Sequence, residues 1–371
     1  MDNAWPPAGS VVAVAMSGGV DSSTAALLLL ERGYRVFGIT MRIWTEEDLL
    51  GALPAEPPAV QRARQAAEAL GIPWHLMDLR EPFRRQVVEY LIAEYTRGRT
   101  PNPCLMCNQR MKFGLLLEEA RRLGASHLAT GHYVRIAFYD GRWHLLRGRD
   151  RRKDQSYMLY MLGQDVLAQV CFPLGELTKA AVRRLAAERG LPAATQEESQ
   201  EICFLKERDY RSFLRRLAPE RLEPGPIFDV QGREIGRHTG LAGYTIGQRK
   251  GLGIAAPEPL YVLDIDVERN ALIVGPASQL GSDTAEVEDV RYVSGETPAG
   301  PFTCTAKIRY QAEEVEATVI PTGTDTAEVR FARPLRDITP GQGVVFYAGE
   351  EVLGGGILRS ARFLFQANSG R

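Results

Sequence analysis

The chain has 371 residues, 44% of them hydrophobic and 25% charged, and a formal net charge of −1. That length exceeds what one simple core organises, so two or three domains of ordinary soluble composition are expected. No apolar stretch is long enough to cross a membrane, since the leucines at 27–30 run at once into Glu31 and Arg32. The first seven residues do not resemble a signal or transit peptide, so a cytoplasmic protein is expected.

Residues 11–16 form an apolar run predicted as a strand, and 22–32 a helix. Residues 35–41 read as a second strand, 58–70 as a helix stopped by Gly71, 74–78 as a third strand and 81–95 as another helix. Residues 108–123 are predicted helical with Gly124 as the stop, and 127–130 as a further strand. This alternation predicts an α/β doubly wound parallel sheet, whose ligands bind at the carboxyl ends of its strands. A hairpin around Asp140-Gly141, helices near 154–162 and 178–189, and a last helix at 207–217 are expected to continue the domain. Pro219, Pro224, Gly225 and Pro226 then break the helical pattern. A glycine-dense module follows to about Leu280, and runs at 303–310, 314–320, 327–331, 343–347 and 352–358 predict the strands of a small barrel or sandwich. The expected domains are therefore 1–219, 220–280 and 281–371, with a small mixed linking module and an all-β C-terminal barrel after the α/β domain.

The near-neutral total hides local excess. Arg142, Arg147, Arg149, Arg151, Arg152 and Lys153 crowd one stretch; Arg97, Arg99, Arg110, Lys112, Arg121 and Arg122 occupy another; the C-terminal third is acid-rich. Such runs are either solvated faces or phosphate-binding surfaces. The five cysteines, Cys104, Cys107, Cys171, Cys203 and Cys304, form an odd set spread over a long chain. That spread argues against a disulfide scaffold and for redox, metal or nucleophilic use of a subset.

Ser17-Gly18-Gly19-Val20-Asp21-Ser22-Ser23 joins the first strand to the first helix. Two glycines let a ligand approach the main chain, three hydroxyls add donors, and the helix start favours a phosphate. Asp21 is the odd member of an anion site, and a Mg2+ ion bridging it to the phosphates would resolve the conflict. The segment is neither a Walker A loop nor a dinucleotide-binding glycine turn. It resembles the signature of the PP-loop ATP pyrophosphatases, which cleave ATP between the α and β phosphates to adenylate a substrate.

Asn102-Pro103-Cys104-Leu105-Met106-Cys107-Asn108 places two cysteines at a predicted helix start, a position that lowers a thiol pKa and favours a Cys107 thiolate. One such pair does not complete a tetrahedral zinc site. Cys203 follows the polar flank Glu198-Ser199-Gln200-Glu201, whereas Cys171 and Cys304 lie in apolar surroundings and read as packing residues.

Taken in order, the SGGVDSS loop, the segment at 101–108, Gly131-His132-Tyr133, Lys153-Asp154-Gln155-Ser156-Tyr157, residues 199–204, Tyr244-Thr245-Ile246-Gly247-Gln248-Arg249-Lys250-Gly251-Leu252-Gly253 and Lys307-Ile308-Arg309-Tyr310 resemble the bacterial tRNA-specific 2-thiouridylases over nearly the whole chain. The resemblance implies 2-thiolation of the wobble uridine in tRNAs for Lys, Glu and Gln. ATP would adenylate the uracil O2, and sulfur would displace AMP. By similarity, Cys203 carries a persulfide delivered by a sulfur-relay protein or cysteine desulfurase, and Cys107 is the second catalytic cysteine, ending in a disulfide with it. Ala15, Met16, Ser17, Gly18, Gly19, Val20, Asp21, Ser22, Met41 and Gly131 match ATP-binding positions. Asn102, Pro103 and Cys104 match the loop that meets the target base. His132, Lys153, Asp154, Gln155, Arg309, Tyr310 and Gln342 match tRNA-contacting positions.

Cys104 departs from the family, many of whose members carry an acidic residue there. It is either a tolerated substitution in a persulfide enzyme or, with Cys107 and Cys203, a ligand of an iron–sulfur cluster. Other functions consistent with the loop are a PP-loop synthetase acting on a small molecule and a non-catalytic sulfur carrier that binds tRNA. The sulfur donor, the oligomeric state and the basis of tRNA selection stay open.

Overall fold

The first half of the chain supplies β1 (Val11–Ala15), β2 (Arg35–Arg42), β3 (Trp74–Asp78), β4 (His127–Ala129), β5 (Val134–Tyr139), β6 (Arg142–Arg147) and β7 (Val170–Cys171). These ranges come from a computed structural model that describes residues 3–50, 56–192, 194, 202–205, 210–219, 222–336 and 338–361. Five of the strands form a wholly parallel sheet in the order β3-β2-β1-β4-β7. Val12 and Val14 pack on one face against Ala26 and Leu29 of the helix Val20–Glu31 and Ala63 and Ala67 of the helix Pro58–Ala69. Ala13 and Ile39 pack on the other face against Leu116, Leu117 and Ala120. Both faces of β1 are thus covered, which is why its sequence is apolar throughout instead of alternating. The strand order reverses at β1, so a crevice opens between the carboxyl ends of β1 and β4, where Ser17–Ser22 and Gly131 lie.

Three local expectations need revision. Residues 154–162 are not a helix; they contain a single 3-10 turn at Ser156–Met158. The Asp154 carboxylate explains this, because it accepts from the backbone N–H groups of Gly148 and Ser156 and from the Ser156 hydroxyl, and so favours a turn. The helix expected at 108–123 begins earlier, at Pro103, and runs through a π-helical stretch, Cys107–Leu116, to Arg122. The two-residue strand β7 is too short for any periodicity to announce it.

The second half supplies β8 (Gly225–Asp229), β9 (Glu234–His238), β10 (Leu260–Asp266) and β11 (Ala271–Pro276), which form a mixed sheet in the order β10-β11-β8-β9. After it come β12 (Ser282–Tyr292), β13 (Phe302–Lys307), β14 (Val315–Pro321), β15 (Ala327–Leu335), β16 (Gly343–Ala348) and β17 (Glu351–Ala361). They pair antiparallel in the order β12-β15-β14-β13-β16-β17, and β17 returns to β12, closing a barrel around Val319, Val329, Phe331, Phe346 and Leu358. At Gly355 a side chain would lie 2.5 Å from the Val344 oxygen and 2.8 Å from the Tyr160 ring, so glycine lets β17 cross this crowded seam. Among the described residues no helix is long and apolar enough to cross a membrane.

The hairpin at Asp140-Gly141 forms as expected, with both residues at positive φ. It does not extend the parallel sheet. β6 pairs instead with β17, so the hairpin is the outer edge of the barrel's sheet. Arg147 fixes this joint: its Nη2 lies 2.6 Å from Glu314 Oε2, its Nε donates to the Gly349 carbonyl at 3.0 Å, and its guanidinium sits 3.6 Å over the Tyr347 ring. Arg147→Ala is expected to cost roughly 2 kcal/mol, because the Glu314 carboxylate and the Gly349 carbonyl lose a largely buried donor. A urea titration followed by tryptophan fluorescence measures it; an unchanged midpoint would show that the joint carries no stability.

Candidate active site

The loop between β1 and the helix Val20–Glu31 is shaped by close approach. Gly18 has φ 76°, and a side chain there would stand 2.6 Å from the Ala59 carbonyl oxygen, so glycine lets the helix Pro58–Ala69 close over the loop. Gly19 caps the helix without any side-chain acceptor for its first-turn N–H groups. The Ser22 hydroxyl accepts from Ser17 N–H at 3.2 Å and lies 3.3 Å from the Ser17 hydroxyl, which closes the turn. Gly131 stands against the same helix start; a side chain there would be 2.9 Å from Asp21 and from Ser22 N. Val20 and Met16 are buried beneath, and Ala15 and Met41 are half-buried at the ends of β1 and β2. The residues expected to bind nucleotide therefore lie around one loop, with Met16 and Val20 beneath it, and first-turn N–H groups without a side-chain cap suit a phosphate.

Asp21 is not left to repel that phosphate. Lys179 Nζ lies 2.7 Å from each of its carboxylate oxygens, and the Tyr133 hydroxyl donates to Oδ1 at 2.7 Å. The expected Mg2+ bridge thus meets a carboxylate already neutralised by an ammonium group, with neither oxygen uncommitted. Lys179 was invisible to motif reasoning. Its signal was an anomaly, a lysine on the first turn of a helix, where the dipole disfavours a cation without an acidic partner.

A second group of residues surrounds the helix that begins at Pro103. Asn102 is its N-cap and accepts the Cys104 N–H at 3.1 Å, while Pro103 occupies the first helical position. Asn108 donates to the Met158 carbonyl at 3.0 Å. The approach to this helix is held from the far end of the chain. Thr100 N–H donates to Pro340 O at 2.8 Å, Thr100 O accepts from Gln342 Nε2 at 2.7 Å, and the Thr100 hydroxyl lies 3.3 Å from that of Thr245.

The thiols are not as expected. Cys107 lies a full turn inside the helix and packs against the apolar core, so burial, the largest cause, pushes its thiol up; Cys104 adds to the rise and Lys112 opposes it. The thiolate expected from a helix-start position is therefore not favoured there. Cys104 and Cys203 expose side-chain surface, yet protein packed around them lifts both thiols, again with Lys112 opposing. Cys203 also feels the charges of Cys107 and Cys104, which places the three thiols within electrostatic reach of one another. Its neighbour Phe204 anchors it, packing edge-on against Phe83 and Phe213. The flank at 198–201 lies outside the described residues. Among the described residues no three His, Cys, Asp or Glu side chains are placed to hold a metal ion, so Cys104, Cys107 and Cys203 are not assembled as a cluster site. Cys171 and Cys304 pack into the sheet and barrel cores, as expected.

Lys112 stood in a basic run without an assigned role. It is half-buried, and its charge acts on Cys104, Cys107, Cys203 and His132 alike. His132 is buried, with Nδ1 2.7 Å from the Thr130 hydroxyl; burial and Lys112 hold it well below the ordinary imidazole value, so it is neutral near pH 7. His132, next to Gly131 of the loop rim, thus shares the field of Lys112 with the three thiols.

The other expected contact residues have structural duties. Asp154 is committed to its own loop, and Gln155 exchanges hydrogen bonds with the Tyr133 backbone; Lys153 is half-buried beside them. Arg309 donates to the Thr339 hydroxyl, and the Tyr310 ring lies 6.0 Å from Tyr157, which donates to Gly343 O. Gln342 braces Thr100.

Three family models match the chain in succession: the tRNA methyl transferase HUP domain at 10–207, the tRNA methyl transferase PRC-barrel domain at 211–276 and the aminomethyltransferase beta-barrel domain at 282–358. The chain is 51% identical over 365 residues to the tRNA-specific 2-thiouridylase MnmA of Roseiflexus sp. (strain RS-1), covering 93% of this chain and 98% of that protein. It is 48% identical over 369 residues to that of Symbiobacterium thermophilum, covering 96% and 93%. The Moorella thermoacetica protein of the same name is 49% identical over 359 residues, covering 94% and 99%.

Lys179→Ala leaves the Asp21 carboxylate without its cation in the anion-binding rim, and is expected to weaken ATP binding by about tenfold, or about 1.4 kcal/mol. Calorimetric titration with ATP checks it; unchanged affinity would mean that Asp21 and Lys179 serve the fold alone. Lys112→Met removes the charge that opposes the upward shift of the thiols, so alkylation of Cys107 by iodoacetamide is expected to slow at mildly alkaline pH and its profile to move to higher pH. Rates read by peptide mass spectrometry that match the parent would remove Lys112 from the site.

Proposed function

The chain belongs to the tRNA-specific 2-thiouridylase family, and on that premise we propose that it uses ATP to replace the 2-oxygen of the wobble uridine in tRNAs for Lys, Glu and Gln with sulfur. One juxtaposition supports the reading: Gly131 stands against the start of the helix that follows the glycine loop, and the next residue, His132, shares the field of Lys112 with Cys104, Cys107 and Cys203. In this account the residues around Ser17–Ser22 and Gly131 hold ATP, which arrives as its Mg2+ complex, so the metal enters with the substrate. Residues 1–219 form the catalytic domain, 220–280 link it, and 281–371 form the barrel.

Uracil O2 attacks the α-phosphorus, pyrophosphate leaves, and C2 becomes electrophilic. The terminal sulfur of a Cys203 persulfide, supplied by a relay protein or cysteine desulfurase, attacks C2 and expels AMP. Cys107 then attacks the Cys203 sulfur, which releases the 2-thiouridine and leaves a Cys107–Cys203 disulfide; an external thiol reductant restores both. The raised thiols bear on this order of events. A thiol that stays protonated at rest acts late, after a proton acceptor or the departing phosphate has drawn near. Neutral His132, hydrogen-bonded to Thr130, is unlike a phosphate anchor and better suited to packing beside an uncharged base.

The test is 2-thiouridine formation in unmodified tRNA for Glu, with ATP and a persulfide donor, anaerobically and with iron-free protein. Product is expected, and Cys203→Ser is expected to abolish thiolation while tRNA-dependent pyrophosphate release persists. Full thiolation by Cys203→Ser would remove the persulfide role; product only after cluster reconstitution would transfer the chemistry to the three cysteines as ligands.

A further inference from the structure

Cys104 has no part in the sulfur transfer above, yet it lies one turn from Cys107 on the same helix. Pro103 is the first helical residue, so Cys104 stands in the first turn, with its N–H accepted by the Asn102 side chain at 3.1 Å. Leu105 and Met106, between the two cysteines, are buried in the core. Cys104 is exposed, whereas Cys107 is half-buried against that core. The helix start, which favours a thiolate, therefore belongs to the outer thiol of the pair, and burial opposes that preference at both.

The backbone joining them is helical, with φ and ψ of −64° and −41° at Met106 and −61° and −45° at Cys107. Helical rise and radius then set the two Cα atoms about 5 Å apart, within the span that a disulfide bridges. Side chains three residues apart share one helix face, with Cβ atoms about 5 to 6 Å apart, and a disulfide needs them about 1 to 2 Å closer. The first turn already leans that way. The Cys107 N–H donates to the carbonyls of both Pro103 and Cys104. Moving that bond wholly onto the Cys104 carbonyl tightens the turn to 3-10 geometry, in which side chains three residues apart eclipse and the two sulfurs meet.

We propose that Cys104 is a resolving thiol, which attacks the Cys107 sulfur of the Cys107–Cys203 disulfide left by sulfur transfer, forms a Cys104–Cys107 disulfide and releases Cys203. The proposal rests on the persulfide route. The Cys104 thiolate supplies the electron pair of the new bond, the pair of the broken bond leaves on the Cys203 sulfur, and Cys203 takes up a proton equivalent to the one Cys104 lost. One disulfide replaces another, so no oxidant is consumed, and the external thiol reductant then opens the new bond at the exposed Cys104 sulfur. Burial pushes the Cys203 thiol up to about 12, so once released it holds its proton and is free to receive the next persulfide sulfur. Reloading of Cys203 is thereby separated from reduction of the helix pair.

The experiment runs a single turnover with iron-free full-length enzyme carrying the persulfide, unmodified tRNA for Glu and ATP, without reductant. The reaction is quenched in acid, alkylated with N-ethylmaleimide and mapped by mass spectrometry of unreduced tryptic peptides. Trypsin leaves Cys104 and Cys107 on one peptide, 100–110, and Cys203 on another, 190–206, so the two disulfides are told apart by mass. The parent is expected to yield peptide 100–110 lighter by two hydrogens together with alkylated Cys203. Cys104→Ser is expected to yield the two peptides joined through Cys107 and Cys203, with alkylation of Cys203 lost. Joined peptides at every time in the parent overturn the proposal, as does Cys203 alkylation in Cys104→Ser equal to the parent's. The internal disulfide at equal yield without ATP also overturns it, since oxidation unconnected with turnover then accounts for the bond. Thiolated tRNA with no disulfide in either protein sinks the persulfide route itself, and the proposal with it.

Discussion

Thr100 receives three contacts from segments far removed in sequence: the barrel loop through Pro340 and Gln342, and the linking module through Thr245. Gly341 makes this possible, since a side chain there would lie 3.0 Å from the Thr100 backbone. Everything that follows Thr100 inherits its position: Asn102 caps, Pro103 starts the helix, and Cys104 and Cys107 take their places along it. The cysteine site is consequently a property of the whole chain. The parallel sheet alone provides the glycine loop, but the mixed sheet and the barrel set where the cysteine helix lies.

The charges divide accordingly. Around the glycine loop, Asp21 and Lys179 cancel each other at the start of the helix Val20–Glu31. Around the thiols no carboxylate answers Lys112 among the described residues, and its field falls on three sulfurs and a neutral imidazole. Cys104 itself brings no carboxylate into that neighbourhood. Burial and a single lysine thus work against each other on the same sulfur atoms, so their reactivity depends on what excludes or admits water.

What the sequence made legible was what local patterns encode. Val11–Ala15 followed by Ser17-Gly18-Gly19 and a helix announces a strand, a turn and an anion site from adjacent residues, and Asp140-Gly141 announces its hairpin in the same way. What stayed hidden depends on residues distant in the chain. Lys179 reaches Asp21 from 158 residues away. The turn at Asp154 follows from a carboxylate's choice of partners over a helical pattern. The Cys107 thiolate is disfavoured because the helix starts at Pro103, five residues before the expected 108, and because the apolar packing around the sulfur has no local signature. The pairing of β6 with β17 had no local signature at all.

That last pairing bears on how the protein is made. β5 and β6 leave the ribosome early, whereas β17 follows about 200 residues later. Through most of synthesis the outer hydrogen-bonding edge of β6 has no strand to receive it, and the closure of the barrel, which also needs β17, waits for the same segment. Arg142 and Arg147 at the two ends of β6 place charge on that waiting edge, a pattern that discourages pairing with the wrong chain. The last strand is therefore a checkpoint: truncation before Glu351 leaves both the hairpin and the barrel open, and a chain that lacks it exposes three unpaired edges, those of β6, β12 and β16, to its neighbours.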